Sequence, residues 1–167
     1  GNGYPITAVL GKEKIMKNIG KTFISSTFWT ESIGPTAALK TIEVMEKQKS
    51  WENITITGKS IITRWKELSK KHELKIKIYG IPSLCSFVFD SDKHDLYKAL
   101  ITQEFLKKGI LATNTIYVST AHTKAILKKY FFHLDKIFEL ISKCEKKDDV
   151  YRYFNSSLPI KKFDRLN

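Results

Sequence analysis

Ser25-Ser26-Thr27 is the stretch of this chain best suited to holding an anion. A threonine hydroxyl with neighbouring backbone N–H groups can hold a phosphate dianion without a charged side chain. Ser32 reads as the cap of a following helix with Pro35 in its first turn, so that helix would present its positive end to the same region. Taken alone, a Ser-Ser-Thr loop is more often just a loop. The start, Gly1-Asn2-Gly3, is a turn signal whose glycines let a backbone approach a ligand or a second strand. His122 lies between a strand and a helix, open to acid–base work. A histidine bonding the helix start or a carbonyl is the plainer reading. His72, His94 and His133 lie in lysine-rich helical surroundings and read as surface residues. Cys85 sits in the apolar run from Leu84 to Phe89 as a small buried thiol, and Cys144 falls near the end of a helical pattern. Neither cysteine has metal-ligand spacing to a second Cys or His, so no metal site is expected. A reducing, cytoplasmic setting fits, with a disulfide between them left open.

The elements that must position these residues follow from periodicity. Pro5 to Leu10 reads as a short strand, Lys12 to Asn18 as a short helix, and Gly20 to Trp29 as a loop. A helix from about Ser32 carries Ala38, Ile42 and Met45 on one face. A second covers Trp51 to His72, with Gly58 either weakening it or marking close packing. The period then changes to two. Leu74, Ile76 and Ile78 alternate with polar residues, Gly80 to Pro82 turns the chain, and Leu84 to Phe89 returns. A helix over residues 92–108, a strand over Thr115–Ser119 and an amphipathic helix over Thr123–Lys143 complete a β-β-α-β-α order. That order implies a small α+β layer with helices on one face of a short sheet.

The net charge of +12 invites a nucleic-acid reading. The excess is nearly all lysine, with arginine only at Arg64, Arg152 and Arg165. Arginine forks suit phosphate and guanine, and no zinc-finger, RNP-type or basic-arm motif is present. A lysine-rich solvated surface is favoured, and no apolar run reaches membrane-span length.

In order, the motifs become specific. Gly1-Asn2-Gly3-Tyr4-Pro5-Ile6 to Gly11, then Ser26-Thr27-Phe28, then the small-residue helix Pro35 to Val44 resemble class III pyridoxal-phosphate aminotransferases. Thr102 to Leu111 and Ser119-Thr120-Ala121-His122-Thr123 resemble the glutamate-1-semialdehyde aminomutase-like branch of that family, so the resemblance spans residues 1 to about 140.

The resemblance implies an α/β, fold type I pyridoxal-phosphate transferase, of which this chain is the C-terminal part. Residues 1–30 would be the edge of the large cofactor domain, 31–72 connecting helices, and 73–167 a small α+β domain. It implies a homodimer with the active site at its interface, a small-molecule amino donor and a carbonyl acceptor. Thr27, with Ser26, would bind the phosphate of pyridoxal 5'-phosphate held by the partner subunit. The Schiff-base lysine would stand three residues before Gly1, so the chain alone would be inactive. Lys12, Lys14 and Lys17 do not match it. Asn114 stands near the place of a substrate-facing glutamate of the aminomutases, which favours an ordinary aminotransferase. A turn residue before a strand is the equal alternative for Asn114. Glu31 lies beside the phosphate segment, where repulsion argues for a structural or dimer role. The competing reading is a free-standing basic α+β module that binds nucleic acid or an acidic partner.

Overall fold

The computed structural model describes residues 2–23, 27–28 and 30–154. Two compact units divide the chain, unit 1 (Gly1–Ser50) and unit 2 (Trp51–Asn167).

Unit 1 contains a short helix α1 (Glu13–Met16), a 3-10 turn (Ile19–Lys21) and the helix α2 (Ile33–Gln48). The strand expected at Pro5–Leu10 is not formed. β-branched composition favours an extended backbone, but a strand exists only where a ladder partner pairs with it. None of the described residues pairs with this segment. α2 forms where the pattern placed it and closes at Lys49, which adopts φ 47°. The apolar face that carries Ala38, Ile42 and Met45 is largely solvent-facing, with Ile42 53% and Met45 40% exposed. Tyr4, Val9, Leu10, Ile15 and Leu39 are exposed as well. Gly34 and Ser50 are the buried residues among those described in this unit. Two short helical pieces and one longer helix offer too little surface to enclose that many apolar side chains.

Unit 2 holds the hydrophobic core. The helix α3 (Ser50–Lys71) leads into β1 (Ile76–Ile81) and β2 (Leu84–Phe89), an antiparallel hairpin that pairs Ile76 with Phe89 and Ile81 with Leu84. The two-residue turn is therefore Pro82-Ser83, and Gly80, expected in the turn, belongs to β1. α4 (His94–Leu106) follows, then β3 (Thr115–Tyr117), antiparallel to β2, then α5 (Lys124–Lys147) and a 3-10 turn (Val150–Tyr153). The sheet order is β1-β2-β3.

Alternation along β2 sends Cys85, Phe87 and Phe89 inward. They meet Ile61, Trp65 and Leu68 of α3, Tyr97, Leu100 and Phe105 of α4, and Leu134, Phe138 and Ile141 of α5. Trp65 and Phe87 pack edge to face at 4.8 Å, and the Trp65 indole N–H donates to the Tyr130 hydroxyl at 3.0 Å. Gly58 does mark close packing. A Cβ there would stand 1.8 Å from the Pro82 carbonyl oxygen, so glycine seats the hairpin turn directly on the α3 backbone. Both cysteines are buried free thiols, which closes the disulfide alternative. No helix among the described residues is long and apolar enough to cross a membrane.

Candidate functional site

In unit 1, Thr27 lies on an exposed bend. Ser26, the other expected phosphate contact, lies outside the described residues.

The start of α2 departs from expectation in an instructive way. Ser32 makes no side-chain cap. Glu31 caps the helix instead, its carboxylate accepting from the N–H groups of Ile33 and Gly34. A carboxylate at a helix N-terminus satisfies orphan amides and complements the dipole together. The positive end expected to serve a phosphate is thus already engaged by a side chain of the same segment. Beside it, the Pro5 carbonyl stands 2.7 Å from where a Cβ of Gly34 would be, so the extended segment lies against the first turn of α2. Glu31 has the structural role left open for it. The visible signal was an acid two residues ahead of the helix.

In unit 2, Asn114 is 6% exposed. Its Nδ2 donates to the Phe87 carbonyl at 2.8 Å, and its own carbonyl accepts from the Phe87 N–H at 3.0 Å. Backbone and side chain together extend the β2–β3 ladder one residue beyond Thr115. Thr113 donates to the remaining amide oxygen at 3.2 Å.

The His122 ring bonds neither the helix start nor a carbonyl, although the residue's backbone N–H donates to the Ser119 carbonyl at 3.1 Å. Its Nδ1 accepts from the Ser119 N–H at 3.0 Å, while Thr123 caps α5 by accepting from the Ile126 N–H. That bond leaves Nε2 as the ring nitrogen free to donate in the neutral tautomer. Two histidines read as surface residues are structural. His94 accepts the Phe89 N–H at 3.1 Å, and burial pushes its pKa down, with Lys98 adding to the effect against an opposing Asp95. His72 is 11% exposed at its side chain and meets Asp135 at 2.6 Å. Many lysines are engaged in surface ion pairs, among them Lys40 with Glu43, Lys77 with Asp90 and Lys143 with Glu139. Among the described residues no group of His, Cys, Asp and Glu could hold a metal ion.

The sequence profile of the family described as aminotransferase class-III matches residues 1–145. The chain belongs to the class-III aminotransferase family. A relative in this family, 3-aminobutyryl-CoA aminotransferase of Cloacimonas acidaminovorans, is 30% identical over 122 residues, covering 72% of this chain and 29% of that protein. Glutamate-1-semialdehyde 2,1-aminomutase of Methanocaldococcus jannaschii is 24% identical over 156 residues, covering 83% of this chain and 36% of that protein. Among solved structures, the PLP internal aldimine form of the Sphingopyxis sp. MTA144 FumI protein superposes with a TM-score of 0.76 at 23% identity. It covers 87% of this chain and 36% of that chain. The class-III chain described here therefore spans about a third of the length of the relatives it matches. Its fold is that of a fold type I transferase portion, mixed helix with a small antiparallel sheet, as the ordered motifs implied.

Proposed function

We propose that this chain is the C-terminal part of a pyridoxal-phosphate-dependent aminotransferase. The parent enzyme moves an amino group from a small-molecule donor to a carbonyl acceptor. The observation that carries the reading is the family match across residues 1–145. It is supported by unit 1, whose exposed Ile42, Leu39 and Val9 suit a surface covered by a larger body. In this reading residues 1–30 complete the large cofactor domain, 31–72 connect, and 73–167 form the small domain. The active site lies between two copies in a reducing, cytoplasmic setting, in keeping with two free buried thiols.

Pyridoxal phosphate, when bound, supplies the electron sink that makes a substrate α-proton removable. What this chain adds is binding and position. Thr27, through its hydroxyl, and Ser26 would hold the cofactor phosphate of the partner subunit. The exposed bend at Thr27 fits that task, and Glu31 fixes the first turn of the α2 helix that follows in sequence. Asn114 acts as a positioning residue: tied to Phe87, it sets the height of the loop that enters β3 and offers no carboxylate where the aminomutases carry one. Transfer between two molecules is therefore favoured over transfer within one. The lysine that holds the cofactor lies outside these residues, and the 167-residue chain by itself does not transaminate.

Two measurements test this. Incubating the chain with pyridoxal phosphate and borohydride should give no stoichiometric labelling, and labelling at a single lysine would overturn the reading. In a protein extended upstream through its cofactor lysine, Thr27→Val should weaken cofactor retention by about 10- to 100-fold. That is the worth of one hydrogen bond to a charged group, about 1.5–3 kcal/mol. Unchanged retention would remove Thr27 from the site.

A further inference from the structure

Unit 2 holds a cavity of about 540 Å³ between the end of α4 and the start of α5. Small organic ligands fill cavities of roughly 300–1,000 Å³. Ile110, Ala112, Ile116 and Leu127 line it, and Leu111 and Tyr117 reach solvent with 89% and 74% exposure. These are apolar surfaces left uncovered in a chain of net charge +12.

The polar groups of the cavity are few, and they carry one sign. His122 offers Nε2, since its Nδ1 is occupied by the Ser119 N–H. Lys129 also lines the cavity, and Lys108 immediately precedes Gly109 in its wall. Lys108 and Lys136 line an adjoining hollow together with His133, whose pKa is pushed down by burial and then by Lys108, Lys129 and Lys136. Glu104, the carboxylate of that hollow, is already held by Lys107 at 2.5 Å and by Gln103 at 3.0 Å. Lys136 lies over the Phe132 ring at 4.3 Å. Among the described residues none of Lys108, Lys129 and Lys136 has an ion-pair partner.

We propose that this groove binds a small amphiphilic organic phosphate, with its apolar arm between Ile116 and Leu127 and its phosphate on Lys129 and Lys108. Ammonium groups without ion-pair partners answer a dianion better than a single carboxylate. A second copy of a chain this basic would bring like charge to the patch. A nucleic acid would leave the aliphatic wall uncovered. The site is made of unit 2 residues alone, so it stands or falls independently of Thr27 and the cofactor reading.

The test is a ¹⁵N–¹H titration of the 167-residue chain with hexyl phosphate, with hexanol and inorganic phosphate as separate arms. Hexyl phosphate should give saturable shifts at residues 109–112, 115–117 and 126–129, and bind at least about tenfold more tightly than either control. Lys108→Ala with Lys129→Ala should weaken it about tenfold, and so should Leu111→Ser, a change at an exposed position that leaves the core intact. Equal binding of inorganic phosphate would reduce the site to a lysine patch. Equal binding of hexanol would reduce it to a greasy groove. Either result overturns the proposal, as does the absence of saturable shifts. The wild-type arms decide it even if a variant fails to fold.

Discussion

Replacing Gly58 by alanine tests how the hairpin is seated on α3. In a free helix the change would stabilise by about 1 kcal/mol, the ordinary helical preference of alanine over glycine. Here the new Cβ would stand 1.8 Å from the Pro82 carbonyl oxygen, 2.5 Å from its carbonyl carbon and 3.0 Å from its Cα. All three are backbone atoms, so no rotamer change relieves the contact. Atoms in contact stand about 3.5 Å apart, so helix and turn must separate by more than an ångström. The turn is not free to move, because the Ser83 carbonyl accepts from the Val118 N–H at 2.9 Å and the hairpin is paired from Ile81 and Leu84 onward. Overpacking of this kind costs about 3 kcal/mol at the upper end of its usual range. Set against the gain in helix preference, the net destabilisation is about 2 kcal/mol. In urea, followed by the fluorescence of buried Trp65, the midpoint should fall by about 1 M. Ser60→Ala, at an exposed α3 position nearby, should leave it within about 0.5 kcal/mol of wild type. A Gly58→Ala protein as stable as wild type would refute the direct seating of the turn on the helix.

Tyr130→Phe removes the acceptor of the Trp65 indole N–H inside the core, and should cost about 1–3 kcal/mol by leaving that donor unsatisfied. A Trp65→Phe, Tyr130→Phe double-mutant cycle should recover part of it, and strict additivity in urea unfolding would argue against the bond. Burial works against ionisation of Asp135, but its bonds to Lys71 and His72 outweigh it and hold the carboxyl below the ordinary range. A depressed folded-state pKa stabilises above the unfolded-state value, near about 4, and that stability is lost as pH falls through the folded-state value. Asp135→Asn should therefore cost up to about 1 kcal/mol at pH 7, partly screened at a half-exposed site, and converge with wild type in acid. Equal urea midpoints at pH 7 would contradict the pairing. Both thiols should resist alkylation in the folded protein and react once it is unfolded in urea. Burial first, then Asp149, pushes Cys144 up to about 11, and burial raises Cys85. Fast labelling of native protein would show that the core opens.

Unit 2 was legible because its signals are local and agree. Leu84 to Phe89 alternates cleanly, the α5 stripe from Leu127 to Ile141 keeps one period, Gly109 follows the end of α4, and the turn read at Gly80 to Pro82 falls at Pro82-Ser83. Unit 1 was half legible. The α2 pattern was right as a helix, yet whether Ile42 and Met45 are covered depends on surfaces that periodicity within one helix cannot supply. Pro5–Leu10 failed for the same reason, since strand pairing is a property of two segments. The structural parts of Asn114, Glu31, His72 and His94 are non-local or side-chain-to-backbone bonds. Residues 27 apart, such as Asn114 and Phe87, carry no mutual mark in the linear chain. The ordered motifs carried the family because function preserves spacing across elements, whereas a single Ser-Thr pair carries almost nothing.

Glu31 makes the opening turn of α2 electrically self-sufficient. A dianion that approached this turn would find those two amides already occupied, so its charge would have to be balanced by cations from beyond it. Replacing the acid by alanine would leave both amides without a side-chain acceptor. In the proposed enzyme, the bend at Thr27 would therefore complete a phosphate site whose charge is balanced elsewhere.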